Sequence, residues 1–228
     1  MTAPTHKLAI YDMDRTITHA PTWTPFLLAT ARARAPWRLA FVPAVVVLML
    51  GYAARLIDRG GLKQRMHRLL LGRRLPPPAL RAAADGFADR VVATGVLAGA
   101  RARFAADRAA GYRLVMATAS YRFYAQAIAD RLGFDAVIAT DSAYADDGSL
   151  LPTLRNENCY GPAKLRMIEA WLASEGIART DAHVRFYSDH VSDAPVLRWA
   201  DEPVVANPSS KLRRLARVMG WPVEDWQR

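Results

Sequence analysis

Four short, unbroken apolar runs stand out along the chain: LAIY (8–11), RLVMAT (113–118), AVIAT (136–140) and VRFYS (184–188). A strand with one wet face alternates apolar and polar positions. Continuous runs are what a parallel sheet covered on both faces requires. A weaker fifth run, PVVAN (203–207), follows. Between the runs lie helical patterns. ARARFAADRAAG (100–111) and YRFYAQAIADRLG (121–133) each end on glycine, GPAKLRMIEAWLASEG (161–176) places Pro162 in its first turn, and NPSSKLRRLARVMG (207–220) closes on Gly220. Alternating strands and helices predict an α/β fold with a doubly wound core. ADDGSLLPTL (145–154) interrupts the alternation and reads as a small hairpin with an Asp-Gly turn.

Residues 18–92 depart from this rhythm. Their one strand-like run is VVVLML, and they otherwise predict several helices, begun near Thr24-Pro25 and at Pro36, separated at Gly60-Gly61, and begun again after Pro76-Pro77-Pro78. A core of 1–17 with 93–228 and a helical insertion at 18–92 is therefore expected. Within the insertion, LAFVPAVVVLMLGYAA (39–54) has no charge over sixteen residues, with Arg38 and Arg55 at its ends. As a helix it would reach about 24 Å at 1.5 Å per residue, short of the roughly 30 Å hydrocarbon core of a bilayer, and Pro43 interrupts it. Two readings stay open, a buried helix of the insertion or an interfacial segment between basic anchors.

Charge sharpens this division. The chain of 228 residues is 52% hydrophobic, enough for one large core, and carries a formal net charge of +10. Residues 18–92 hold twelve Lys and Arg against three acids, a net of +9, and the rest is balanced at nineteen against eighteen. A basic segment favours anionic partners such as phosphate-bearing substrates or an anionic membrane surface. It contains no recognisable nucleic-acid module, so no nucleic-acid partner is expected. The single cysteine, Cys159, gives no disulfide framework. MTAPTHK runs directly into a strand rather than a secretory leader. A cytoplasmic protein is expected, with peripheral contact to the cytoplasmic face of an inner membrane through residues 32–59 as the membrane variant of that expectation.

Candidate chemistry sits at the carboxyl ends of the predicted strands, where open α/β sheets bind ligands. Asp12 and Asp14 end the first, Thr118 the second, and Asp189 and Asp193 follow the fourth in SDHVSD. Lys164 opens the helix between. Taken singly these are a turn, a helix cap and a surface lysine; together they are a constellation. Their order and type resemble the haloacid dehalogenase superfamily of phosphatases, subfamily IB. The first motif of that family stands here as Asp12-Met13-Asp14-Arg15-Thr16, the second at Thr118, the third at Lys164 and the fourth at Asp189 and Asp193. An insertion directly after the first motif is the cap placement of the phosphoserine-phosphatase-like branch, so the resemblance implies a Rossmann-like core with a cap at 18–92.

The resemblance also implies roles. Asp12 is the expected nucleophile, and Asp14 the general acid and base, giving its backbone carbonyl to a metal. Mg²⁺ is the expected cofactor, held by Asp12, Asp14 and Asp189. Thr118, Ala119 and Lys164 are expected to hold the phosphoryl oxygens, with backbone N–H groups near Met13 and Ala119 as donors. Asp193 is expected to orient Lys164 or metal-bound water. His19 lies close enough in sequence to approach substrate. Arg15 stands where many relatives have Gly or Ser.

The substrate expected is a phosphate monoester. A cap carboxylate that would hold the ammonium of phosphoserine is missing, because no Asp or Glu occurs from Arg15 to Ile57. NCYGPAK (158–164) and YSDHVSDAPVL (187–197) are similar to the third and fourth motifs of the phosphatidylglycerophosphatase C family. That likeness implies a phospholipid head group such as phosphatidylglycerophosphate. A soluble phosphomonoester is the alternative, and a non-catalytic membrane- or nucleic-acid-binding protein with a relic core a second one.

Overall fold

A computed structural model describes residues 5–226. The chain begins with β1 (His6–Tyr11), passes through helices α1 (Trp23–Arg34), α2 (Val42–Ala53), α3 (Arg59–Leu70), α4 (Pro77–Arg90) and α5 (Ala98–Ala109), and returns to the sheet at β2 (Arg113–Tyr121). Then come α6 (Arg122–Leu132), β3 (Ala136–Thr140), a hairpin of β4 (Ser142–Tyr144) and β5 (Leu150–Leu154), and α7 (Pro162–Ser174). β6 (Ala182–Ser188), α8 (Ala194–Trp199), β7 (Glu202–Ala206), α9 (Ser210–Met219) and β8 (Val223–Glu224) complete it.

Six strands form one parallel sheet in the order β3-β2-β1-β6-β7-β8. β1 lies at its centre, flanked by β2 and β6, and the order reverses there. This doubly wound, Rossmann-like arrangement explains the unbroken apolar runs. In β1, Ala9 and Tyr11 point into one core with α4, α5 and α6, while Leu8 and Ile10 point into a second with α7, α8 and α9. All four are essentially inaccessible to solvent.

The details depart from the sequence pattern in three places. The hairpin begins earlier than expected, at Ser142, with residues 145–149 as its turn and Gly148 at φ +75°. Gly60 and Gly61 lie inside the first turn of α3 and separate nothing, because Asp58 caps that helix through a 2.5 Å bond from the Gly61 N–H. The apolar run 39–54 is not core: residues 36–41 form a 3₁₀ turn continuous with α2, and of the whole stretch only Val45 is buried. VVVLML is accordingly helical.

Candidate active site

The carboxyl ends of β1, β2 and β6 meet at the reversal of strand order. Each contributes side chains to a cleft of about 330 Å³, lined among others by Asp12, Asp14, Thr118, Ala119, Lys164, Asp189 and Asp193. All seven residues predicted as a site are thus brought together. The Asp12 N–H donates to the Tyr187 carbonyl at 2.9 Å, so β1 stays paired to its last residue before the chain turns. The turn is tight: the Met13 carbonyl accepts from the N–H groups of Ile17 and Thr18 at 2.9 and 3.1 Å. Arg15 takes the left-handed conformation, φ +64°, that this curl imposes, which explains physically why glycine suits the position. Its side chain reaches the cleft wall.

Lys164 is buried in the first turn of α7 and bridges two carboxylates, 3.0 Å from Asp12 Oδ1 and 2.7 Å from Asp193 Oδ2. Ser188 Oγ also donates to Asp193 Oδ2, at 2.7 Å. Thr16 Oγ1 lies 3.4 Å from Asp189 Oδ1. Burial raises the Asp12 carboxyl to about 8; Lys164 opposes the rise, and Asp193 and Asp189 add to it. Burial likewise raises Asp189 to about 6, with Asp193 contributing and Lys164 opposing. Burial depresses the Lys164 ammonium, but the Asp12 and Asp193 carboxylates outweigh it and hold its pKa above the ordinary lysine value.

These observations test the fit of a hard divalent cation. Four carboxylates, Asp12, Asp14, Asp189 and Asp193, line the cleft, and the buried Lys164 pairs with two of them, Asp12 and Asp193. Burial is the main cause of the raised values of Asp12 and Asp189, with the neighbouring carboxylates adding to it, so a cation placed among these oxygens would favour their ionised forms. Asp193 Oδ1 is buried without a hydrogen-bond partner. Among the described residues no three His, Cys, Asp or Glu side chains are grouped as a metal cage. The donors fit an ion held by two carboxylates, a main-chain oxygen and outside ligands, as Mg²⁺ prefers.

Sequence reasoning missed a second layer. The Asp14 carboxylate is gripped on both oxygens: Oδ1 accepts from the Thr22 N–H (2.8 Å) and hydroxyl (2.7 Å), and Oδ2 from Ser120 Oγ (2.9 Å). Thr22 Oγ1 in turn lies 3.1 Å from the buried Tyr124 hydroxyl. Lys63, from α3, is 4% exposed. Its ammonium donates to the Ala119 carbonyl and to Asn158 Oδ1 (2.7 Å), and faces the Tyr121 ring at 5.1 Å. Burial pulls its pKa down to about 7, with Arg59 reinforcing and Asp14 opposing. Thr140 Oγ1 donates to the same Ala119 carbonyl at 2.8 Å and lies 2.9 Å from Asn158 Oδ1. The cleft mouth is formed by Arg15, Tyr52, Arg59, Tyr160 and His190, with Arg59 stacked 4.1 Å over Tyr160. His19 is not among them: it lines a separate pocket with Phe87 and Thr94.

A model of the haloacid dehalogenase-like hydrolase family matches residues 9–198. The chain belongs to that family. A crystal structure of a protein of unknown function from Bordetella pertussis Tohama I superposes on the hydrolase with a TM-score of 0.85 at 30% identity, covering 97% of this chain and 99% of the other. A substrate-bound phosphoserine phosphatase shares the fold at a TM-score of 0.62 and 16% identity, over 98% and 93% of the two chains. Phosphoserine phosphatase SerB1 of Mycobacterium tuberculosis is 30% identical over 139 residues, 61% of this chain and 44% of that one. The second of these likenesses shows that the chain shares its fold with phosphoserine phosphatases. The matched stretch spans less than half the length of SerB1 and of other relatives like it.

Proposed function

We propose that the protein is a Mg²⁺-dependent phosphomonoester hydrolase working through an aspartyl-phosphate on Asp12. The observation that carries this reading is the buried Asp12–Lys164–Asp193 bridge beside Asp189 at the sheet's carboxyl edge. A phosphate monoester repels water as a nucleophile, so splitting the displacement in two lowers each barrier. Lys164 holds Asp12 Oδ1, leaving Oδ2 to attack phosphorus as the ester P–O bond breaks. Asp14 delivers its proton to the leaving oxygen. It then takes a proton from water, which attacks the same phosphorus, cleaves the Asp12–phosphate bond and releases inorganic phosphate. Thr118, the Ala119 backbone and Lys164 hold the phosphoryl oxygens. A bound Mg²⁺, held by Asp12, Asp189 and the Asp14 carbonyl, would supply charge neutralisation for the phosphoryl group. The segment 18–92 serves as the cap, contributing Tyr52 and Arg59 to the mouth of the cleft.

The substrate reading rests on that mouth. Arg15 and Arg59 supply positive charge to it, whereas Asp58, the first acid after Asp14, is used as a helix cap. An anionic or hydroxylated leaving group fits better than the ammonium of phosphoserine. A phospholipid head group such as phosphatidylglycerophosphate meets this description, and a small soluble phosphomonoester of the same charge is the second reading, supported by the modest cleft volume. Asp12→Asn should abolish hydrolysis of an aryl phosphate without lowering the melting temperature. Retention of most activity would remove Asp12 as nucleophile. A screen of phosphatidylglycerophosphate, phosphatidate, phosphoserine and sugar phosphates, with and without Mg²⁺, decides between the substrates.

A further inference from the structure

The helical run Pro36–Ala53 has a mean hydropathy of 1.6, yet only 6% of it is buried. Val47 and Leu50 are 66% and 63% exposed, and Trp37 62%. Apolar area left in water forfeits about 25 cal/mol per Å², so a contiguous apolar helix facing solvent marks a surface that something covers. Beside it runs a groove of about 660 Å³, with Phe41, Val47 and Leu48 among its apolar walls and Arg65, Arg68 and Arg73 among its lining.

The charges around this face identify the cover. Arg65, Arg68 and Arg73 line the groove and Arg55 follows the helix; all four are exposed and form no ion pair among the described residues. A second copy of the chain would bring like-charged rims together around its apolar centre. An anionic leaflet instead accepts the apolar side chains at its acyl boundary and the guanidinium groups at its phosphates. Arg38 behaves differently: it stacks over Trp37 at 4.6 Å and donates to the Leu69 carbonyl at 2.9 Å, tying the run to the end of α3. With that tie, and Pro43 inside it, the run is built to lie on a surface.

We propose that the face formed by residues 36–53 with the exposed Arg55, Arg65, Arg68 and Arg73 docks on the anionic leaflet of a lipid bilayer. This deepens the reading above and rests on it for its consequence: Tyr52, near the end of the same helix, lines the catalytic cleft, so docking brings the cleft mouth to the plane of head-group phosphomonoesters.

The test is flotation of the full chain carrying Asp12→Asn, with vesicles of phosphatidylcholine alone or with a minority of phosphatidylglycerol. The protein should float with the anionic vesicles, and salt should release it. Val47→Ser with Leu50→Ser should abolish flotation while the melting temperature holds. Arg65→Gln, Arg68→Gln and Arg73→Gln together should weaken partition on the order of a hundredfold. Three results overturn the proposal: no flotation, flotation indifferent to lipid charge and to these arginines, or a dimer in sedimentation velocity that Val47→Ser and Leu50→Ser dissolve in the absence of vesicle binding. Flotation scores no turnover, so it stands apart from the substrate reading: if the Asp12→Asn chain floats but the wild-type protein releases no phosphate from phosphatidylglycerophosphate in those vesicles, the lipid-substrate reading falls and the docking surface stands.

Discussion

Lys63→Met tests the link between the helical segment and the proposed phosphate-binding loop at Thr118 and Ala119. Methionine keeps most of the length and apolar contact of the lysine stem but removes a buried ammonium. Burial has brought that group from 10.5 down to about 7. At roughly 1.4 kcal/mol for each tenfold change in proton affinity, keeping it charged in the folded state at pH 7 costs on the order of 4 kcal/mol. The unfolded chain holds this proton up to about pH 10.5, while the folded chain sheds it near 7, so the unfolded state binds more protons across that window. Stability from this site therefore rises with pH from about 7 to 10.5. Two hydrogen bonds are lost in the variant, each worth about 1 kcal/mol, while the Ala119 carbonyl keeps the Thr140 hydroxyl as a donor. The net expectation is a variant about 2 kcal/mol more stable than wild type at pH 7, roughly 4–8 °C in Tm for a chain of this size, with the gain gone by about pH 10. The Ala119 carbonyl loses one of its two donors, so kcat should fall about tenfold as the proposed phosphate-binding loop loosens. Urea melts of both proteins at neutral and alkaline pH, with aryl phosphate kinetics at pH 7, read all of this. A variant less stable at pH 7, or a gain independent of pH, refutes the buried-charge argument. Unchanged kcat and KM refute the positioning role.

Two further outcomes follow from the same physics. Asp107 is 1% exposed and accepts from Tyr11 (2.5 Å), Tyr187 (2.8 Å) and Arg185 (2.5 Å); Asp107→Leu strands all three donors beneath the centre of the sheet. It should lose about 3–5 kcal/mol, read as a melting temperature lower by roughly 10 °C, and a loss under 1 kcal/mol would contradict the network. Asp12 and Asp189 are raised in the folded state, so without a cation the folded protein holds protons that the unfolded chain releases near pH 4, and the cluster favours folding less as pH rises from about 4 to 8. Mg²⁺ competes with those protons, so the rise in Tm it produces should be larger at pH 8 than at pH 5. Equal shifts at both pH values, or none, would count against a cation between these carboxylates.

The candidate constellation was legible in the chain because each part sits at a local boundary: an apolar run ends and a carboxylate, hydroxyl or lysine follows. Topology then brings strand ends together wherever a parallel sheet reverses its order, so Asp12, Thr118, Lys164, Asp189 and Asp193 converge without further information. The helical character of 18–92 was legible for the same reason, in its proline starts and missing strand pattern. What only the tertiary structure decided depends on partners far apart in sequence. Nothing in the local sequence marks Lys63, which α3 lays against the Ala119 carbonyl, 56 residues on. Thr22 and Ser120 carry no local signal of a shared role, yet they close on Asp14 from eight and 106 residues away. The apolar run 39–54 carries the same composition whether buried or bare, and hydrophobicity alone cannot state which. Its exposure follows from how α2 and α3 pack, with Val45 turned inward and Val47 and Leu50 left facing out.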